Sequence, residues 1–221
     1  MPATGRAQVR SYRETPCRAP SFPRSRVRND GYRCAQPILR SPLTSERHML
    51  ELILGGARSG KSRLAERLAR ESGLAVTYIA TAQAGDGEMA ARIAEHRRRR
   101  PAEWDSREEP LALAAMLEEL AAPDRCLLVD CLTLWLTNLL LHDDGARLDS
   151  ERDALLATLP QLPGRIILVS NETGLGVVPL GELSRRYVDE AGWLHQALAE
   201  RSERVIFTVA GLPMVLKGEN P

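Results

Sequence analysis

The chain has 221 residues, 43% of them hydrophobic, which is enough to bury one sizeable core and predicts one domain or at most two. No apolar run approaches the roughly 20 residues that a membrane-spanning helix requires, and the four cysteines show no CxxC spacing, which argues against a disulfide framework or a zinc site. The formal net charge of +1 does not by itself exclude a nucleic-acid partner or a membrane partner. We predict a soluble, cytoplasmic protein without a membrane partner.

The charge is divided unevenly along the chain. Residues 1–48 hold ten of the 30 basic residues, all Arg, and three of the 29 acidic ones, which gives +7. They also hold six of the 14 prolines, so we predict a disordered extension. A transit peptide or an RNA-binding arm would also be basic, but the scattered prolines oppose the helix of a transit peptide. We favour Met49 as the native start, with the extension absent from the native protein.

Residues 49–221 are predicted to form the folded domain. They carry 20 basic and 26 acidic residues, a net −6, which is not the charge of a nucleic-acid-binding surface. Short Val/Ile/Leu-rich runs alternate with longer helical patterns, as in a mainly parallel sheet flanked by helices. The predicted strands are Leu50–Leu54, Ala75–Ala80, Cys126–Asp130, Arg165–Ser170 and Arg204–Val209. The predicted helices are Lys61–Ser72, Gly87–Arg100, Pro110–Ala121, Leu132–Leu141, Ser150–Leu159 and Leu180–Arg201.

This pattern predicts an α/β fold of the P-loop NTPase, RecA-like kind. Ligands of such sheets bind beyond the carboxyl ends of the strands. The first four predicted strands are followed there by Gly55–Ser62, Ala80-Thr81-Ala82, Asp130 and Ser170-Asn171-Glu172. We expect these strand ends to converge on one site.

The strongest motif is the phosphate loop Gly55-Gly56-Ala57-Arg58-Ser59-Gly60-Lys61-Ser62, which stands between the first predicted strand and a helix. Its glycines let backbone N–H groups turn towards phosphate oxygens, and the helix N-terminus adds partial positive charge. Lys61 is expected to neutralise the β- and γ-phosphates, and Ser62 to bind Mg²⁺. The motif predicts binding of a nucleoside triphosphate.

Asp130 ends the apolar strand Leu127-Leu128-Val129-Asp130, which has the form of a Walker B element. Its carboxylate is therefore a candidate ligand of Mg²⁺, although strands also end in Asp because turns favour it. Lys61 and Lys217 are the only lysines, and no Asn-Lys-x-Asp motif is present, which excludes a Ras-like GTPase.

The predicted helix Gly87–Arg100 places Arg92, His96 and Arg100 at helical spacing. Neighbouring guanidinium groups favour a neutral imidazole, which is a nucleophile, and could bind phosphate oxygens as it attacks. A solvated basic face with an incidental histidine has the same spacing. The spacing alone leaves both interpretations open.

The loop Ser170-Asn171-Glu172-Thr173-Gly174 could position substrate, supply a base or only connect two elements. His195 lies within a predicted helix and is interpreted as a packing or surface residue rather than a catalytic one.

Five motifs in unbroken order between Met49 and Lys217 resemble the bifunctional adenosylcobinamide kinase/adenosylcobinamide-phosphate guanylyltransferase family. They are Gly55–Ser62, Tyr78-Ile-Ala-Thr-Ala82, Glu88-Met-x-x-Arg92-Ile-x-x-His96-x-x-x-Arg100-Pro101, Leu128-Val-Asp-Cys-Leu-Thr-x-Trp135-x-x-Asn138 and Val169-Ser-Asn-Glu-x-Gly174. Residues 1–48 have no counterpart in the family.

The resemblance implies phosphorylation of adenosylcobinamide, followed by transfer of GMP from GTP to that phosphate. It implies His96 as the covalently guanylylated nucleophile, which favours the catalytic interpretation of that residue. It also implies that the nucleotides are GTP and ATP and that the metal is Mg²⁺. It further implies a homotrimer with sites between subunits. The implied nucleotide contacts are Gly55–Ser62, Ala80, Thr81, Ala82, Arg97, Arg98, Arg99, Arg100, Glu108 and Asp130.

Two other functions fit the phosphate loop. One is a different small-molecule kinase without a covalent step, which would not need a corrinoid. The other is a nonenzymatic nucleotide-binding regulator that reaches RNA through residues 1–48, for which strongly salt-dependent RNA binding would be expected.

Overall fold

A seven-stranded sheet in the order β3-β2-β4-β5-β1-β6-β7 organises the chain in a computed structural model, which describes residues 48–82 and 101–220. Its strands are β1 (Met49–Gly55), β2 (Ala75–Ala80), β3 (Asp105–Glu108), β4 (Arg125–Asp130), β5 (Arg165–Asn171), β6 (Arg204–Val209) and β7 (Leu212–Lys217). The helices are α1 (Lys61–Glu71), α2 (Leu113–Leu120), α3 (Leu132–Leu141), α4 (Leu148–Thr158) and α5 (Glu182–Arg201), with short 3₁₀ helices at His142–Gly145 and Leu159–Gln161. All neighbouring strands pair parallel except β6 and β7.

Both faces of the central strands are buried, which explains their unbroken apolar sequences. Along β1, Leu52 packs in a cluster with residues of α2 to α5, whereas Ile53 packs on the opposite face against α1. Each fully buried Leu or Ile contributes about 1.5–3 kcal/mol through removal from water. The α/β class and the mainly parallel sheet are therefore as predicted.

The five predicted strands are all present, with ends that agree within one residue. Two further strands were missed. The four residues of β3 are polar and exposed, so no hydrophobic pattern marks them, and their backbone pairing with β2 defines the strand. Strand β7 follows β6 through Ala210 and Gly211, both at positive φ, as in the two-residue turns of hairpins.

The predicted helices at Lys61–Ser72, Pro110–Ala121, Leu132–Leu141, Ser150–Leu159 and Leu180–Arg201 correspond to α1 to α5 with shifts of a few residues at their ends. The predicted helix Gly87–Arg100 and the predicted disorder of residues 1–47 lie outside the described residues. Among residues 48–82 and 101–220, no helix has the length and apolar character needed to span a membrane.

The register brings the predicted strand ends to one edge of the sheet. Gly55 of β1 lies beside Asn171 of β5, and Ala80 of β2 lies between Asp130 of β4 and Glu108 of β3. Because these strands are parallel, their carboxyl ends all face the same edge. The predicted strand ends therefore share one edge of the sheet, with β5 and β4 between β1 and β2, and their convergence on one site stays a prediction.

Candidate nucleotide-binding site

The phosphate loop occupies the connection between β1, which ends at Gly55, and α1, which begins at Lys61. Gly60 has φ 98° and precedes the helix without a side-chain cap, so the first N–H groups of α1 remain available to an anion. The Ser59 amide donates a hydrogen bond to the Gly56 oxygen over 3.3 Å, which closes the turn of the loop. This local geometry is that of a phosphate-binding cradle.

Two glycines are required by close approach of other strands. A Cβ at Gly55 would lie 2.6 Å from the backbone oxygen of Thr208, and one at Gly60 would lie 3.2 Å from the Cα of Gly211. The Gly211 amide also donates a hydrogen bond to the Ser59 oxygen over 2.8 Å. The β6–β7 turn therefore supports the phosphate loop from behind, a contact that the sequence analysis missed. The Ala210-Gly211 pair between two apolar runs was the available signal for this hairpin.

The Lys61 side chain lies over the loop and is only 8% exposed. Its Nζ donates a hydrogen bond to the Gly56 oxygen over 3.1 Å. Burial lowers the pKa of Lys61, while the negative charge of Asp130 acts in the opposite direction. A phosphate group in the loop would supply the negative charge that this buried ammonium lacks.

Three buried side-chain oxygens close to this loop have no hydrogen-bond partner among the described residues: Ser59 Oγ, Asn171 Oδ1 and Thr208 Oγ1. Asn171 and Thr208 flank Gly55 on its two neighbouring strands, β5 and β6. Because a buried polar group without a partner is costly, such a cluster indicates a place where a ligand or water completes the bonding.

A cavity of about 530 Å³ opens at this point. It is lined by Gly56, Ala57, Arg58, Ser59, Glu172, Leu175, Phe207, Thr208, Val209 and Ala210. The loop residues, the start of the segment after β5 and the end of β6 thus share one concave surface, as expected of a small-molecule site.

The two predicted metal ligands, Ser62 and Asp130, supply a hydroxyl and a carboxylate. Both are oxygen donors of the kind that Mg²⁺ prefers, and Mg²⁺ sites in such proteins complete their coordination with phosphate oxygens and water. Asp130 ends β4, at the same edge of the sheet as the phosphate loop and two strands from Gly55. Among the residues that the structure describes, no group of three or more His, Cys, Asp or Glu could hold a metal by itself. The donor set therefore fits a nucleotide-bound Mg²⁺.

Ala80, Thr81 and Ala82 follow β2 at the same edge, but at a distance from the loop. Three strand steps separate β2 from β1, which at about 4.8 Å each is roughly 14 Å. The Thr81 hydroxyl donates to the Cys131 oxygen over 2.6 Å and accepts from the Cys131 amide over 3.1 Å. Its side chain thus fixes the backbone after Asp130, and its backbone oxygen accepts a hydrogen bond from Asn138 Nδ2 over 2.8 Å.

Glu108 ends β3 one strand further from the loop, beside Ala80. The predicted site residues therefore extend along the carboxyl edge, from the phosphate loop through Asp130 to the Ala80–Ala82 segment and Glu108. His96, Arg97, Arg98, Arg99 and Arg100 lie outside the described residues.

His195, interpreted from the sequence as a packing residue, is 7% exposed and lies directly behind the end of β5. Its Nε2 is 2.8 Å from the Ser170 hydroxyl oxygen, and its Nδ1 is 3.6 Å from Glu172 Oε2. Burial lowers the pKa of His195, and the nearby Glu172 carboxylate acts in the opposite direction. No periodicity signals this contact, because 25 residues separate Ser170 from His195.

The phosphate loop, its buried lysine and the parallel sheet together define a P-loop nucleoside-triphosphate-binding protein of the α/β class. The sequence model of the family described as "Cobinamide kinase / cobinamide phosphate guanyltransferase" matches residues 51–216. The chain belongs to this family, and it is a transferase with the kinase and guanylyltransferase activities that the family combines.

Two curated relatives agree with this assignment. The bifunctional adenosylcobalamin biosynthesis protein CobP of Pseudomonas aeruginosa is 82% identical over 171 residues, which cover 77% of this chain and 99% of the relative. The corresponding protein CobU of Salmonella typhimurium is 38% identical over 182 residues, covering 76% of this chain and 100% of the relative. Among solved structures, the flagellar accessory protein FlaH of Methanocaldococcus jannaschii has a TM-score of 0.46 at 15% identity, covering 78% of this chain and 79% of that chain.

Proposed function

We propose that this enzyme phosphorylates the aminopropanol hydroxyl of adenosylcobinamide and then transfers GMP from GTP to the new phosphate. The products are adenosylcobinamide-GDP and pyrophosphate. The observation that carries the proposal is the phosphate loop with its buried Lys61, in a chain that matches the kinase/guanylyltransferase family over residues 51–216. ATP or GTP serves as the phosphoryl donor.

In the kinase step, the β- and γ-phosphates lie in the Gly55–Ser62 loop, where amide N–H groups and Lys61 balance their charge. Ser62 and Asp130 would hold Mg²⁺, which when bound would offset further charge on the phosphates. The support for Lys61 is its burial and its contact with Gly56, because an ammonium in this position is already desolvated and directed over the loop.

In the transfer step, a ring nitrogen of His96 attacks the α-phosphorus of GTP. An N–P bond forms, the bond between the α-phosphorus and the bridging oxygen breaks, and pyrophosphate leaves with the electron pair. A phosphate oxygen of the cobinamide phosphate then attacks the same phosphorus and releases the histidine. Support for His96 comes from the Arg92-Ile-x-x-His96 pattern and from the family to which the chain belongs.

We assign two sets of residues to GTP during this transfer. Ala80, Thr81, Ala82 and Glu108 lie at the carboxyl edge, and Arg97, Arg98, Arg99 and Arg100 lie outside the described residues. Ala82 is the last described residue before the segment that carries His96. Ala82 itself lies beyond the carboxyl end of β2, at the same edge of the sheet as the phosphate loop.

Labelling with GTP that carries ³²P at the α-phosphate tests the covalent step. Wild-type enzyme and His142→Ala should retain acid-labile, alkali-stable label after denaturation, because a phosphoramidate is labile in acid. His96→Ala should retain none. His142 is a suitable control because its side chain is 40% exposed on a 3₁₀ helix. Unlabelled wild type, or a labelled His96→Ala, would overturn the histidine intermediate.

We further propose that the enzyme is a cytoplasmic homotrimer whose sites lie between subunits, as the family resemblance implies. Light scattering coupled to gel filtration of the purified chain measures the mass directly. A mass near three times 24.4 kDa is expected, and a monomeric mass with full guanylyltransferase activity would contradict sites shared between subunits.

A further inference from the structure

The chemistry assigned so far leaves the proton of the acceptor hydroxyl without a destination. Among the described residues, Glu172 is the only carboxylate in the lining of the cavity beside the phosphate loop. Its amide donates a hydrogen bond to the Gly55 oxygen over 3.1 Å, so the residue is attached to the first glycine of that loop. This backbone hydrogen bond therefore helps to hold Glu172 at the cavity.

The two carboxylate oxygens of Glu172 have different surroundings. Oε1 accepts a hydrogen bond from the Gly174 amide over 2.6 Å. Oε2 faces His195 Nδ1 at 3.6 Å, which is longer than a hydrogen bond. A role restricted to stabilising the loop would explain the Oε1 contact but not the approach of Oε2 to a buried imidazole. The Glu172 side chain is 22% exposed, so it is oriented but still accessible from solvent.

The imidazole behind Glu172 is held by Ser170, whose hydroxyl is 2.8 Å from His195 Nε2. Ser170 is 2% exposed and His195 is 7% exposed, so water has little access to this side of the carboxylate. Burial lowers the pKa of His195, which favours the neutral form of the ring. A carboxylate that lines the cavity and is oriented by buried neighbours is a candidate general base for a substrate bound there.

We propose that Glu172 is the general base of the kinase step, and that His195 and Ser170 position it. As the hydroxyl oxygen of the cobinamide substrate attacks the γ-phosphorus, its proton passes to a Glu172 oxygen. The new O–P bond forms while the bond from the γ-phosphorus to the bridging oxygen breaks, and the nucleoside diphosphate leaves with the electron pair. Glu172 releases the proton to solvent after the products depart. This inference rests on the proposed hydroxyl-phosphorylating activity.

The bifunctional enzyme provides an internal control, because the transfer from GTP to a preformed phosphate has no hydroxyl proton to remove. Purified full-length Glu172→Gln is assayed separately for cobinamide phosphorylation and for GMP transfer to supplied cobinamide phosphate. We expect the kinase kcat to fall by about 100-fold or more, with the KM for nucleotide and the transferase rate each within about threefold of wild type. Glu172→Asp, which keeps a carboxylate, should recover part of the kinase kcat.

Glu182→Gln is the matched control, because Glu182 is an exposed residue in the first turn of α5. It should leave both rates unchanged. A kinase kcat of Glu172→Gln within about threefold of wild type, or an equal loss of both activities, would overturn the inference. If the Gln variant does not fold, a Glu172→Asp kcat equal to that of wild type would overturn it, and a selective kinase defect would support it. Failure of wild type to phosphorylate cobinamide would instead contradict the proposed function.

Discussion

The two edges of the central sheet differ in whether their buried polar groups have partners within the chain. At the amino edge, the fully buried Glu51 lies between Arg165 and Arg204, so each charge has a partner. At the carboxyl edge, Ser59 Oγ, Asn171 Oδ1 and Thr208 Oγ1 are buried without partners among the described residues, and burial lowers the pKa of Lys61. The first cluster is complete within the chain, whereas the second has polar atoms that a bound ligand or water would satisfy.

The largest expected effect is at the amino edge. Glu51→Ala removes the carboxylate that pairs with Arg165 and Arg204 and leaves two guanidinium groups partly buried without a counter-charge. We expect a loss of about 3–5 kcal/mol in the free energy of unfolding, measured by urea denaturation. Glu119→Ala, at an exposed position of α2, should change stability by less than about 0.5 kcal/mol. Equal effects of the two variants would show that the buried cluster is not structural.

The carboxyl edge should show the reverse pattern, with a large effect on ligand binding and a small one on folding. Lys61→Ala removes the ammonium that opposes the phosphates, and we expect the Kd for nucleotide to rise about 100-fold, equivalent to about 2.8 kcal/mol. The melting temperature of the nucleotide-free protein should change by less than a few degrees. Calorimetric titration and thermal denaturation measure the two quantities.

Lys217→Ala is the control for that variant, since Lys217 Nζ donates to the Ala199 and Glu200 oxygens. It should weaken folding by about 1 kcal/mol without changing nucleotide affinity. Unchanged affinity in Lys61→Ala would remove the main argument for a phosphate site in the loop.

The orphan hydroxyl of Thr208 allows a more precise comparison. Thr208→Val replaces a buried, unpartnered hydroxyl with a methyl group of similar size, so we expect the nucleotide-free protein to gain about 1 kcal/mol of stability. The gain should shrink when saturating nucleotide is present, because the wild-type hydroxyl then has a partner. Thermal denaturation of both proteins measures the gain in stability without nucleotide and the gain with saturating nucleotide. A loss of stability without nucleotide would contradict the description of this hydroxyl as unsatisfied.

The smallest predicted effect concerns pH. Because burial lowers the pKa of His195 in the folded state, the unfolded chain binds its proton more readily. Stability attributable to this residue is therefore present above the unfolded pKa of about 6.5 and is lost as the pH falls below it, with a slope of at most about 1.4 kcal/mol per pH unit. His195→Gln should reduce the slope of unfolding free energy between pH 7 and pH 5. An unchanged slope would mean that the pKa of His195 is the same in the folded and unfolded states.

Strands β1, β2, β4, β5 and β6 could be predicted because their apolar runs follow directly from burial on both faces. Strand β3 could not be predicted, since its four polar residues are ordered by backbone pairing with β2 and not by a hydrophobic pattern. The helix Gly87–Arg100, the nucleophile His96, the disorder of residues 1–48, the bound Mg²⁺, the trimer and the cytoplasmic location stay predictions.

By itself, the sequence determined the α/β class, the phosphate loop and the candidate Lys61 and Asp130, because each depends on residues that are close together along the chain. Only the tertiary structure decided that the β6–β7 turn supports the loop and that Asn171 and Thr208 flank Gly55. It also decided that His195 lies behind Glu172. Strand order and helix packing produce these contacts, and they join residues that are distant along the chain and share no local periodicity.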